Sequence, residues 1–226
     1  MRSVLIMLGM AMTALGATAA SAQTKDATFF TVTYIEAAQS AAKDATEVLK
    51  AYRDAGRKDA GNVRFELTQS IHRRGWFTVL GAWSDQKAFE AHAAAAHTKQ
   101  MNDKLAPLLV APNDTRQHNG LSVAAPTPGR SGICAVTHVD VIPPQRDNGV
   151  AAVKQLSEDS RKHDGNILFV TWQQTNRPNH FTVVECWKSR KAYDAHVSAP
   201  QTKDFRNKLV SMTGALYDER LYRVVQ

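Results

Sequence analysis

The chain has 226 residues, 43% of them hydrophobic and 22% charged, with a formal net charge of +7 at pH 7. Its charges are scattered and mixed in sign, with no Lys/Arg block and no interleaving of basic and aromatic residues, which argues against a nucleic-acid surface. Only Cys134 and Cys186 are present. In an oxidising compartment that count permits a disulfide, the other reading being two small buried hydrophobes.

The first element is a leader. Arg2 precedes an apolar run from Val4 to about Gly16, and small residues end in Ala20-Ser21-Ala22, an A-x-A processing signal. The run is too short for a spanning helix. Cleavage after Ala22 would leave a chain starting at Gln23. No Cys follows the cleavage site for a lipid anchor, and no later segment is apolar enough to cross a membrane. The expected product is a soluble periplasmic or secreted protein.

From Phe29 the elements come twice. A β-rich run, Phe29 to Ile35, leads to a helix with Ala45, Leu49 and Tyr52 on one face. Gly61-Asn62 makes a turn. A strand through Val63 to Leu67, a polar loop and a strand from Phe77 follow, then a helix from Ser84 bearing Ala88, Phe89 and His92. A later turn carries Leu105 and Leu108, and a weak strand lies around Gln117 to Val123. Ala124 to Arg130 is a Pro/Gly-bearing linker. Then the pattern repeats: strand Ile133 to Val141, helix with Val153 and Leu156, turn Gly165-Asn166, strand from Ile167, strand from Phe181, helix with Tyr193 and His196, strand Arg220 to Val225.

A single offset of 104 residues aligns the copies without gaps, matching Trp83, Lys87, His92, Thr98 and Leu105 to Trp187, Lys191, His196, Thr202 and Leu209. The chain is a tandem duplication, with domains expected at 23–123 and 132–226 and a linker at 124–131. Each copy has the order β-α-β-β-α-β, the split βαβ or ferredoxin-like arrangement, so the fold class is α+β. The second strand of copy two is apolar at both parities: Ile167 and Phe169, but also Leu168, Val170 and Trp172. A sheet with helices on one face should alternate, so something must cover the other face. The sheet of the sister copy is the expected cover, giving a pseudo-dimer within one chain, with further homodimerisation left open.

The stretches GNILFVTWQ, FTVVECWKSRKAYDAH, TKDFRNKL and YDERLY, with GNVRFELTQS and FTVLGAWSDQKAFEAHAAAAHTK in copy one, resemble the antibiotic biosynthesis monooxygenase superfamily and its dimeric α+β barrel. The resemblance covers nearly all of both copies. Its usual pattern, Glu-x-Trp followed by a helix His, stands at Glu185-x-Trp187 and His196. Copy one has Gly81 where the Glu belongs. Copy two has Gln201 where copy one keeps a second histidine, His97. The resemblance implies oxygenation of a small electron-rich aromatic, a quinol or anthrone, by dioxygen without metal or flavin. It also implies an apolar cavity with a few convergent polar groups. Some relatives degrade haem with an Asn, a Trp and a helix His, and others have no known activity. The alternatives are therefore a haem-binding relative and a non-catalytic binding or stress protein.

Glu185, His196, His92 and His97 are the candidate catalytic residues. Trp187, Asn166, Trp83, Asn62, Tyr193 and Phe89 are the candidate substrate-binding ones. Each also has a plain structural reading. The histidines can be buried and backbone-bonded, the tryptophans core, and the asparagines turn residues. His92 and His97 lie five apart with no carboxylate at metal spacing, so no metal site is expected. A helix break near His97 would let it line a cavity. Asp114/Arg116 and Asp218/Arg220 should form same-face ion pairs. Glu185 shares parity with Phe181, Val183 and Trp187 and so points into an apolar layer. Such a carboxyl must be paired, Arg220 being the expected partner, or carry a raised pKa as a general base.

Overall fold

The computed structural model describes residues 27–127, 129 and 131–226. The leader, and Pro128 and Arg130 of the linker, lie outside the described residues. Repeat one runs β1 (Phe29–Glu36), α1 (Ala42–Gly56), β2 (Asn62–Ser70), β3 (Trp76–Trp83), α2 (Gln86–Ala94), α3 (Ala96–Leu105) and β4 (Asp114–Ser122). Repeat two runs β5 (Ile133–Asp140), α4 (Arg146–Ser160), β6 (Asn166–Gln174), β7 (His180–Trp187), α5 (Arg190–Ser198), α6 (Pro200–Val210) and β8 (Asp218–Val224). Gly61 and Gly165, which enter β2 and β6, hold φ of 76° and 81°. A side chain there would also strike Ala88 and Ala192 on the following helices. This is why the Gly-Asn turn recurs at both sites.

All strands join one closed antiparallel barrel in the order β1-β3-β2-β8-β5-β7-β6-β4. Within each repeat the order is ferredoxin-like. The last strand of each repeat reaches across, β4 pairing with β6 and β8 with β2. Equivalent strands sit half-way round from each other and run the same way, so the pseudo-twofold coincides with the barrel axis. Closure leaves no free sheet edge.

The expected double-sided packing is present, as the interior of one barrel. Phe30, Val32, Leu80, Cys134, Val136, Leu168, Val170, Trp172, Val184 and Tyr222 fill the inside. Two further cores lie outside, under the helices. One includes Leu49, Phe65, Phe77 and Trp83, the other Val153, Phe169, Phe181, Val183 and Trp187. Ile167 departs from its expected parity with Phe169. A register shift between Asn166 and Leu168 turns it to the interior. Cys134 and Cys186 are bridged, directly opposite on β5 and β7 with Cα atoms 4.0 Å apart. Among the described residues no helix is long and apolar enough to cross a membrane.

Asp114/Arg116 and Asp218/Arg220 do form same-strand ion pairs, at 2.7 and 2.8 Å. Both arginines lie on the interior face, where they cover the ring of Tyr34 at 5.0 and 5.6 Å. The expected partnership of Arg220 with Glu185 is therefore corrected: the two side chains occupy opposite faces of the sheet.

Candidate active site

Glu185 sits on β7 in the layer between sheet and helices, 3% exposed. Its Oε2 accepts the indole N–H of Trp187 at 2.6 Å and lies 3.4 Å from His196 Nε2. Burial pushes its pKa up to about 8, helped by the charge of Glu219 and opposed by the Trp187 N–H and by Arg206. His196, on α5, stacks on Trp187 at 4.7 Å and holds Nδ1 3.3 Å from the Thr202 hydroxyl. Burial takes its pKa down to about 3, with His163 and Arg206 acting the same way. A protonated acid and a neutral imidazole thus lie side by side at neutral pH.

A second ring of groups lies beside Glu185. The Tyr193 hydroxyl donates to Glu219 Oε1. Arg206 donates to Glu219 Oε2 at 3.2 Å, and Tyr217 reaches the same oxygen at 3.3 Å. Arg206, Tyr217 and Glu219 form the polar part of a cleft of about 470 Å³, whose other walls are Leu209, Val210, Ala215 and Leu216. Leu216 is 92% exposed and Val210 77%, so the apolar walls face water. On the other side of α5, a cleft of about 450 Å³ lined by His163, Lys191 and Ala192 opens on His196.

Repeat one arranges the same positions differently. His92 Nδ1 meets Asp59 Oδ2 at 2.6 Å, and its Nε2 meets the Tyr52 hydroxyl at 2.7 Å. His97 Nε2 reaches both Asp59 oxygens at 3.0 Å. Burial lowers the pKa of His92, against the pull of Asp59. Burial raises Asp59, but the two imidazoles outweigh it and hold the carboxyl below its usual value. The expected helix break is real: Ala95 is extended, with φ −68° and ψ 150°, between α2 and α3.

Gly81 and Glu185 differ for a reason that lies across the strand. In repeat one Trp83 Nε1 donates to Thr31 at 3.3 Å, and Thr31 is the cross-strand partner of Gly81. A side chain at Gly81 would run into that hydroxyl and that indole nitrogen. In repeat two Ala135 faces Glu185, and the carboxyl accepts the indole N–H instead. The exchange is thus of a pair, Thr31/Gly81 for Ala135/Glu185. Thr31→Ala should leave a buried N–H without a partner and cost about 1–3 kcal/mol in urea unfolding. Adding Gly81→Glu should recover part of that loss, and a further loss would refute the pairing.

Of the sequence candidates, Glu185, Trp187, His196 and Tyr193 come together in repeat two, and His92 and His97 in repeat one. Trp83 is fully buried against Phe65 and His92. Phe89 packs on Phe29. Asn62 and Asn166 turn their amides back to Arg64 and Leu168 carbonyls, at 3.4 and 3.2 Å, away from any cleft. Sequence reading missed Glu219, Arg206, Tyr217, Asp59, Tyr52 and His163. The signal was available in the 104-residue offset. Glu185, Tyr193, Arg206, Tyr217 and Glu219 stand against Gly81, Phe89, Asn102, Asn113 and Thr115. Relative to repeat one, Glu185, Arg206 and Glu219 gain a charge and Tyr193 a hydroxyl, and with Tyr217 they converge in space.

Two ferredoxin-like repeats closed into one barrel, with a buried acid and histidine beneath the helices, define a dimeric α+β-barrel protein whose dimer is contained in one chain. Residues 28–104 and 132–208 each match the antibiotic biosynthesis monooxygenase family, so the chain belongs to that family. Similar solved structures include a protein of Fusobacterium nucleatum described as a putative monooxygenase. It has a TM-score of 0.78 at 14% identity, over 89% of this chain and 94% of that one. A Lactobacillus acidophilus protein described in the same words aligns with TM-score 0.72 at 13% identity, covering 88% and 94%. An anthrone oxidase-like protein aligns with TM-score 0.72 at 14% identity, covering 89% and 93%. At these identities the likeness establishes the fold.

Proposed function

We propose that the protein is an exported oxygenase that oxidises a small electron-rich aromatic, of the quinol or anthrone type, with dioxygen and without a metal or flavin. Repeat two carries the reaction. The observation behind this reading is an apolar-walled cleft, large enough for a fused ring system, with Arg206, Tyr217 and Glu219 in its lining. Behind it Tyr193 donates to Glu219, and Glu185 lies buried. The family and the anthrone oxidase-like neighbour point the same way. The leader and the Cys134–Cys186 bridge support export to an oxidising compartment.

The chemistry asked of the protein is modest. An ionised phenol or enol passes its electrons to dioxygen. One oxygen atom ends as a carbonyl on the ring carbon, and the other leaves as water with two hydrogens of the substrate, one from that carbon and one from the phenol or enol hydroxyl. The side chains must take a proton and stabilise the enolate. Leu209, Val210 and Leu216 hold the ring, Arg206 and Tyr217 face its oxygen, and Glu185 with His196 forms the proton-accepting pair buried behind them. Trp187 positions the Glu185 carboxyl.

The test is oxygen uptake by the chain starting at Gln23 across a panel of quinols and anthrones, with labelled dioxygen. We expect one labelled oxygen atom in the product and uptake well above autoxidation. Saturable binding of these aromatics with uptake at the autoxidation rate would overturn the oxygenase reading and leave a binding protein.

A further inference from the structure

Repeat one holds a cluster that the proposed oxidation does not use. Asp59 Oδ2 stands 2.6 Å from His92 Nδ1 and 3.0 Å from His97 Nε2. These three donor atoms lie within 4.8 Å of one another. We propose that Asp59, His92 and His97 bind one divalent transition-metal ion of the zinc class, in repeat one alone.

The local fold explains how they meet. On an unbroken helix, residues five apart point roughly 140° away from each other. The extended Ala95 interrupts the helix, and α3 restarts with His97 turned back toward His92. The carboxylate arrives from the turn after α1, which is why its spacing in the sequence gives no sign of a ligand set. Both imidazoles aim a nitrogen at the same carboxylate oxygen. A dication in place of the intervening protons would use both nitrogen lone pairs and a carboxylate oxygen at once. A tetrahedral ion with bonds of about 2.0–2.1 Å separates its ligands by roughly 3.3 Å. To reach that separation the 2.6 Å His92–Asp59 spacing would open by about 0.7 Å and the 3.0 Å His97–Asp59 spacing by about 0.3 Å.

The outer support also fits. A metal-bound histidine characteristically donates its other ring N–H to a fixed partner. Here His92 Nε2 faces the Tyr52 hydroxyl at 2.7 Å, and His97 Nδ1 faces Thr98 Oγ1 at 3.3 Å. His92 is 2% exposed at its side chain, whereas His97 and Asp59 are 23% and 21% exposed. The cluster therefore has one buried anchor and an open side. That side gives on a cleft of about 280 Å³ lined by Tyr52, His97, Gln100 and Lys104. Three protein ligands with an open position is the pattern of a reactive or exchangeable site rather than a closed structural one. Repeat two keeps His196 but has His163 for Asp59, Gln201 for His97 and Leu156 for Tyr52. It lacks both the carboxylate and the hydroxyl that supports the first histidine, and serves as an internal control.

The experiment uses untagged protein starting at Gln23, stripped with a chelator and titrated calorimetrically with Zn²⁺, then with Co²⁺ followed by visible absorption. We expect one equivalent to bind saturably, with cobalt giving the bands of a low-coordinate nitrogen/oxygen site. His97→Gln and Asp59→Asn, both partly exposed, should each weaken binding at least tenfold while keeping the metal-free melting temperature. Tyr52→Phe, which removes the hydroxyl held by His92 Nε2, should weaken it roughly tenfold or more, and His163→Ala should leave it unchanged. Absence of saturable binding, or unchanged affinity in both His97→Gln and Asp59→Asn, would overturn the proposal. Oxygen uptake is not the readout, so failure here leaves the reading of repeat two standing.

Discussion

Glu185→Gln is expected to lower aromatic-dependent oxygen uptake by about 100-fold or more, the usual scale for losing a proton-transfer group. The amide keeps the size of the carboxyl, and its oxygen can still accept the Trp187 N–H now held at 2.6 Å. What it cannot do is take a proton. Uptake by the unaltered protein should rise with pH through about 8, where Glu185 ionises, and the variant should lose that rise.

The same shift predicts stability. The folded pKa is raised from the ordinary carboxyl value of 4.5 to about 8, so the folded state binds the proton more tightly than the unfolded chain. Stability from this group is complete below the unfolded value and is lost as pH rises through 8, at about 1.4 kcal/mol per unit of pH over that window. Glu185→Gln should therefore remove this fall in melting temperature between about pH 4.5 and 8. The acid side should stay, because it belongs to other groups. His196 and His118 are held down to about 3 and His138 to about 4, in each case chiefly by burial. Their contribution is present above an ordinary histidine pKa and is lost as pH falls toward those values. Undiminished uptake in the variant would reduce Glu185 to an acceptor for Trp187.

Replacing both cysteines, Cys134→Ala with Cys186→Ala, is expected to cost about 4 kcal/mol. That figure follows from releasing a loop with a sequence separation of 52 residues in the unfolded chain. For a chain of this size it corresponds to a fall of about 10 °C in melting temperature. The bridge lies inside the barrel, where Cys134 is fully buried and Cys186 3% exposed. At the equivalent positions repeat one has Phe30 and Ala82, and Phe30 stacks on Trp172 of repeat two at 4.9 Å. One half fills that level with an aromatic ring and the other with a covalent link. Thermal unfolding of the double variant against the oxidised parent reads the difference. An unchanged midpoint would mean that the link adds nothing to what the barrel already holds.

Much of the architecture was written in the linear pattern. The gap-free offset gave two repeats, and periodicity gave the elements of each. The helix expected from Ser84 begins at Gln86, with Asp85 as its cap. Apolar residues at both parities of β6 required a covered second face, which the interior cluster supplies. The strand from Asp114 to Ser122 read as weak because its residues are mostly polar or small. It is held by backbone pairing to β1 and β6, which no side-chain pattern reports.

By itself, then, the sequence determined the duplication, the ferredoxin-like repeat, the apolar surroundings of Glu185 and the need for a partner sheet. All of these rest on local periodicity or on direct comparison of the two copies. Tertiary structure decided the rest: which face Arg220 occupies, that Glu219 and Arg206 stand beside Glu185, that Thr31 replaces the missing carboxyl of repeat one, and that Asp59 joins His92 and His97. Each depends on strands and turns far apart in the chain being brought within a few ångströms by barrel closure. Spacing along the chain carries no record of those distances.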